Sequence, residues 1–146
     1  RIEPVRVTGE FSYRADKIGG NGFCLAGDAF SFLDPVFSTG VFMALKSGEM
    51  AADAVHCGLT GGAITEATFV EYQRDMQWAL DQFRKLVLSF YNQDFSFRDF
   101  IKAHPHLHPQ LVDALVGNVF TDLKPLFEAL QEFSARTSHT KTMAGA

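Results

Sequence analysis

The sequence predicts a mostly α fold with a small β part: one or two N-terminal strands followed by about five helices. Three observations carry this. From Glu66 to about Asn92, apolar residues recur at helical intervals: Phe69, Tyr72, Met76, Ala79 or Leu80, Phe83, Leu86 or Val87, and Phe90. From Gly40 to about Cys57, the residues Ala44, Gly48, Ala51, Ala52 and Val55 give a second helix a small-residue face suited to close packing on a sheet. Strand patterns are confined to the region before Gly27.

Val5 to Tyr13 sets Val5, Val7 and Phe11 against polar neighbours, the pattern of a half-exposed strand with a bulge at Gly9. Ala15 to Gly22 is a loop, and Gly19-Gly20-Asn21-Gly22 is a turn signal. A phosphate-cradling loop is the sharper reading of these glycines, but no helix follows at once. Phe23 to Ala26 is an apolar run of strand length, suited to burial on both faces. Gly27-Asp28 ends it and leaves a carboxylate at the carboxyl end of a strand, the edge where ligands bind in open α/β sheets. Asp34-Pro35 imposes an extended turn, because the residue before proline is pushed out of the α region. Ser38 or Thr39 can cap the helix that begins at Gly40. Gly40 itself would let a ring approach the backbone.

Gly58 and Gly61-Gly62 should end that helix. Thr68 to Glu71 has capping-box spacing for the long helix that follows. Phe95 to Ala103 reads as a short helix capped by Asp94 or Ser96 and stopped at His104-Pro105. Pro109 to Val116 is a further helix with Gly117 beyond its end, and Pro125 to Arg136 is the last. Thr137 to Ala146 is small and polar and is expected to be disordered. His104, His106 and His108 invite a metal reading, but no carboxylate or thiol stands beside them in sequence to complete a ligand set. No metal site is expected.

Composition narrows the function classes. A chain of 146 residues is one domain's worth, and 47% hydrophobic with 21% charged residues describes a globular chain. Net charge is −4 without a basic stripe, which argues against a nucleic-acid partner. Fifteen phenylalanines exceed what such a core needs, so some are expected to cover surface that further sequence would bury. Cys24 and Cys57 read as buried free thiols of a reducing compartment. No apolar run approaches ~18 residues and no signal peptide is visible, so a cytoplasmic protein is expected.

The stretch GDAFSFLDPVFSTGVFMALKSGEMAADAV resembles the second flavin-binding motif of FAD-dependent monooxygenases with the p-hydroxybenzoate hydroxylase fold. Within that superfamily it is most similar to flavin-dependent halogenases and their oxidoreductase relatives. The close match covers about thirty residues, roughly Gly22 to Val55. The resemblance implies that the cofactor is FAD and that Gly27, Asp28, Pro35, Ser38, Thr39, Gly40 and Val41 contact it. Asp28 would accept a hydrogen bond from a ribityl hydroxyl, as an acceptor-only carboxylate can. Thr39, Gly40 and Val41 would aim unpaired helix N–H groups at the pyrimidine edge of the flavin, where reduction leaves negative charge. The same end could hold a halide.

In tryptophan-acting halogenases a carboxylate sits two residues before the Thr-Gly pair, where this chain has Phe37. The resemblance therefore favours the phenol or pyrrole type. Neither a GxGxxG nor the catalytic lysine of the halogenase N-terminal half occurs in this chain, so no catalytic residue is assigned in it. The chain reads as the C-terminal portion of an FAD-binding α/β fold whose missing N-terminal part is one partner. Residues 1–62 would belong to the FAD-binding domain, 63–136 to a helical region and 137–146 to a tail. Further implied partners are a small-molecule, aromatic substrate and a flavin reductase or NAD(P)H as electron source. A geranylgeranyl-reductase-like enzyme and a non-catalytic helical module with a relic motif are the alternatives.

Overall fold

The computed structural model of the protein describes residues 12–144, with side chains described through residue 136. The expected strand Val5–Tyr13 therefore lies outside the described residues apart from its last two. Strand β1 (Tyr13–Arg14) pairs antiparallel with β4 (Ser31–Phe32), with Tyr13 opposite Phe32 and their rings stacked at 6.3 Å. Strands β2 (Gly19–Gly20) and β3 (Phe23–Cys24) form an antiparallel hairpin around Asn21-Gly22. Asn-Gly suits that two-residue turn, because Gly22 takes φ +81° at no steric cost.

Two strand expectations need correction. The run Phe23–Ala26 is a strand only over Phe23–Cys24, and Phe23 is 50% exposed rather than buried on both faces. A two-residue ladder offers one face to the core, so alternate residues point outward. β4 falls inside the stretch between the Gly27-Asp28 turn and Pro35 for which no strand was expected, because its two residues gain their pairing only from β1, 17 and 19 positions earlier.

Helix α1 runs Gly40–Thr60, past the expected end at Cys57. Gly58 does not stop it. That residue is buried, and a Cβ there would stand 2.8 Å from Thr68 Cγ2, so glycine serves close packing. Termination falls at Gly61-Gly62, where Gly62 takes φ +89°. The buried face is Ser47, Ala51 and Gly58, packed on the Gly27–Ala29 turn, the Glu66–Phe69 turn and α2 rather than on a sheet. Gly48 and Ala52 of the expected face lie on the exposed side with Val41, Leu45 and Leu59, while Ala44, although exposed in area, turns its Cβ towards Gly27.

A 3₁₀ turn, Glu66–Phe69, leads into α2 (Val70–Tyr91). The capping box sits one turn earlier than expected, on Thr65 and Thr68, and Thr65 N–H donates to Thr68 Oγ1 at 3.1 Å. Thr65 is extended, as a cap residue must be, whereas Thr68 is already inside the turn. The predicted stripe is buried from Phe69 through Leu86. Phe90, at 50% exposure, lies past the core and takes the Phe37 ring edge-on at 5.6 Å.

Helix α3 spans Phe97–Ala103 and is capped by Ser96, whose hydroxyl accepts from Asp99 N–H at 3.2 Å. Pro105 opens a 3₁₀ turn into α4 (His108–Leu115), with Pro109 in the first turn, where its missing N–H costs nothing. The last helix, α5, spans Lys124–Ala144 and so continues through most of the tail expected to be disordered. Its one proline, Pro125, lies in the first turn, and no proline or glycine follows it within the helix.

Two buried clusters result. One joins Ile18, Phe30, Ala51, Phe69, Tyr72, Met76 and Leu80; the other joins Phe83, Leu86 and Phe100 to residues of α4 and α5. Helix α2 serves both, its N-terminal half facing the first and its C-terminal half the second. Gly117 closes the α4 turn at φ +107°, where a Cβ would stand 2.9 Å from the Phe42 ring. Gly117→Ala is expected to cost about 1–3 kcal/mol through that backbone conformation and the contact. A thermal melt unchanged from wild type would show that the turn relaxes freely.

Candidate functional site

The segment from Gly27 to Gly40 folds over the N-terminal turns of α1, and each bend in it has a local cause. Gly27 takes φ +54° and lies so close to α1 that a Cβ would stand 3.2 Å from Ala44 Cβ. Its N–H donates to Ser47 Oγ at 2.8 Å. Residues Gly27–Ala29 form one 3₁₀ turn, and the fully buried Phe30 pins its end in the first core. The Asp28 carbonyl accepts from Tyr13 O–H at 2.6 Å. Its carboxylate has no partner among the described residues and remains a free acceptor at an exposed position.

Asp34 anchors the next bend through both side-chain oxygens. Oδ1 accepts from Val36 N–H at 3.0 Å and Oδ2 from Tyr91 O–H at 2.9 Å, which ties the Pro35–Phe37 turn to the end of α2. Ser38 then takes the left-handed conformation, φ 55°, and its N–H returns to Pro35 O at 2.8 Å. Neither hydroxyl caps α1, contrary to expectation. Ser38 belongs to the turn, and Thr39 has helical φ and ψ instead of the extended backbone of a capping residue and makes no side-chain cap hydrogen bond. The start of α1 is therefore left without a side-chain cap.

Gly27, Asp28, Pro35, Thr39 and Gly40 line one cleft of about 60 Å³, whose floor is Met76, Leu80 and Phe83 of α2. Two of the seven predicted contacts are not part of this lining: Ser38 is exposed on the turn, and Val41 is 74% exposed on the outer side of α1. A Cβ at Gly40 would meet nothing within 4 Å. Beyond Ser31, Leu33, Asp34 and Leu80 the cleft adjoins a cavity of about 530 Å³ that reaches Tyr13, Arg14 and Arg84.

Sequence reasoning did not single out Ser31, Phe32 or Leu33, because their place in the lining depends on pairing with β1. It also missed Ser47, although a serine at a position otherwise suited to a small apolar residue was a readable signal. Among the described residues no group of three metal-ligating side chains gathers, and the His104 ring instead stacks beside Phe100 at 5.0 Å. Cys24 is partly buried, and Cys57 lies exposed on α1, not buried as expected. No helix among the described residues is long and apolar enough to cross a membrane.

A mostly helical chain with this turn and cleft matches a known class over nearly its whole length. The chain belongs to the tryptophan halogenase family, whose family model matches residues 7–146. Among individual proteins it is similar to the 1H-pyrrole-2-carbonyl peptidyl-carrier-protein chlorinase of Pseudomonas fluorescens, 24% identical over 83% of this chain and 27% of that protein. It is also similar to a tryptophan 2-halogenase of Chondromyces crocatus, 36% identical over 62% of this chain and 17% of the relative. The flavin-dependent brominase Bmp2 has a similar structure, with a TM-score of 0.69 and 27% identity over 90% of this chain and 32% of its own. The chain thus spans about a third or less of the length of these relatives.

Proposed function

We propose that this chain forms the flavin-contacting portion of an FAD-dependent halogenase of the phenol or pyrrole type. The observation that carries the reading is the convergence of Gly27, Asp28, Pro35, Thr39 and Gly40 on one cleft at the uncapped start of α1. The donor set fits the cofactor. A free carboxylate suits a sugar hydroxyl, unpaired N–H groups suit an electron-rich ring edge, and Gly40 leaves open space for a ring to approach. At about 60 Å³ the cleft holds roughly two waters, so a flavin would lie across its rim rather than inside it.

Bound FAD, reduced by a flavin reductase or NAD(P)H, supplies the oxidising chemistry with O₂ that halogenation needs. The protein's share is positional and electrostatic. The α1 N-terminus carries about half a positive charge, which favours the reduced ring and could also hold a halide beside Thr39 and Gly40. Phe37 supports the phenol or pyrrole type. It stands where the tryptophan-acting pattern has a carboxylate, and its ring packs edge-on against Phe90 and Phe97 at 5.6 and 6.3 Å. The aromatic substrate would meet no negative charge from that position.

The test of the reaction is halogenation by the full-length protein with a flavin reductase and halide, offered phenolic, carrier-bound pyrrole and tryptophan substrates. Product from tryptophan alone would overturn the assigned type, and a colourless protein that binds no FAD would overturn the proposal itself. Gly40→Val tests the site separately. A Cβ there has open space and Gly40 has no positive φ to strain, so the melting temperature should stay close to wild type. It would, however, displace the ring or tilt the amides, lowering the two-electron flavin potential by ~30 mV for each ~1.4 kcal/mol of lost preference for the reduced form. Wild-type potential and affinity together would remove α1 from the site.

A further inference from the structure

Two buried hydroxyls that the proposed contacts do not use hold the ends of the strand-to-turn segment leading into Asp28. Ser47, on the inner face of α1, is fully buried. It accepts from Gly27 N–H at 2.8 Å and donates to Ala44 O at 3.0 Å, so the hydroxyl is used in both directions. Tyr72, on α2, is 3% exposed and donates to Leu25 O at 2.8 Å. The backbone between these bonds is only Leu25, Ala26 and Gly27, and the next residue is Asp28.

We infer that Ser47 and Tyr72 are positioning residues that fix the Gly27-Asp28 turn, and with it the Asp28 carboxylate, against the start of α1. The backbone requires such a clamp. Gly27 is the residue of the turn with the widest conformational choice, and glycine at positive φ has no side chain of its own to hold it there. The turn is closed by only two backbone bonds, Ala29 N–H to Ala26 O at 3.2 Å and Phe30 N–H to Gly27 O at 3.0 Å, and neither ties it to α1 or α2. A part-buried N–H that lost Ser47 would seek water or another acceptor and carry Asp28 with it. Ser47 lies on the same helix as Gly40, so the bond also sets the spacing between the carboxylate and the α1 amides. Tyr72 adds the second point of attachment from α2, which keeps the segment from pivoting about Gly27.

The inference rests on the proposed FAD contact at Asp28, and the experiment separates the two. FAD affinity and visible spectrum would be measured for full-length wild type, Ser47→Ala, Ser47→Thr, Tyr72→Phe, Asp28→Ala and the Ser47→Ala/Asp28→Ala double variant. Ser47→Ala is expected to weaken FAD about tenfold and shift the flavin spectrum, with Ser47→Thr, which keeps the hydroxyl, recovering most of the loss. Because Ser47 acts through Asp28, the double variant should bind no more weakly than Asp28→Ala alone, an outcome that a general loss of stability would not produce. Independent, multiplying losses in the double variant, or wild-type affinity and spectrum in Ser47→Ala, would overturn the inference. Should Ser47→Ala fail to fold, Tyr72→Phe in the same cycle with Asp28→Ala decides by the same criterion. Equal FAD affinity in wild type and Asp28→Ala would instead count against the proposed contact.

Discussion

Replacing Phe83 with alanine is expected to cost about 3–5 kcal/mol of stability. Phe83 is 1% exposed near the middle of α2, where the two buried clusters meet. It also lines the floor of the cleft beside Leu80 and Met76. Truncation would open a cavity among side chains held by α2, α4 and α5, and helices packed on several sides cannot collapse into the space. Urea denaturation of wild type and Phe83→Ala checks this. A loss below ~1.5 kcal/mol would mean that the core repacks as it does around a volume-conserving change. The cleft floor should suffer with the core, so bound FAD would weaken as well.

Asp28→Ala is expected to weaken FAD binding by roughly 5- to 150-fold in the full-length protein, the range that ~1–3 kcal/mol implies for a hydrogen-bonded group left without its partner. Stability of the fold should hardly move. The carboxylate makes no contact among the described residues, and the bond from Tyr13 goes to the Asp28 backbone carbonyl, which alanine keeps. That asymmetry makes the variant informative, since an exposed carboxylate with no structural task has only a ligand to lose. Isothermal titration with FAD provides the measurement. Unchanged affinity would return Asp28 to the status of an ordinary turn residue.

Tyr72 supplies a separate check through pH. Burial, the largest cause, pushes its phenol up to about 12 from an ordinary value of 10.0, with a smaller push from the neighbouring Cys24. A raised phenol pKa contributes stability that is present below pH 10, where the unfolded chain also keeps the proton. That contribution is lost as pH rises from 10 towards 12. An alkaline titration followed by ultraviolet absorbance should show one tyrosine ionising late. Tyr72→Phe should remove that late step, and its persistence would place the buried phenol elsewhere.

The long amphipathic helix was legible almost residue by residue, because its stripe follows the 3.6-residue repeat and is buried from Phe69 to Leu86. Its terminal Phe90 broke the pattern for a tertiary reason: the core ends there and the ring turns to Phe37. Capping was less legible. Thr68-x-x-Glu71 carries the capping-box pattern as text, whereas Thr65-x-x-Thr68 lacks the usual Glu or Gln and was revealed only by the extended backbone of Thr65. Ser38 and Thr39 looked like caps because serine and threonine usually are, yet the preceding 3₁₀ turn takes Ser38 into the left-handed region.

The sequence by itself determined the helical class, the order and approximate bounds of five helices, and the family to which the Gly27–Val55 stretch points. These properties live in local periodicity, in proline and glycine punctuation, and in one contiguous motif. Only the tertiary structure decided that β4 exists, since two residues become a strand through pairing with β1 far earlier in the chain. It also decided which side of α1 faces inward, because several small residues leave the helix with two faces of similar character. The same holds for the hold that Ser47 and Tyr72 have on the turn before Asp28: these bonds join residues 20 and 47 positions apart, and no local pattern records a hydrogen bond that only folding brings within reach.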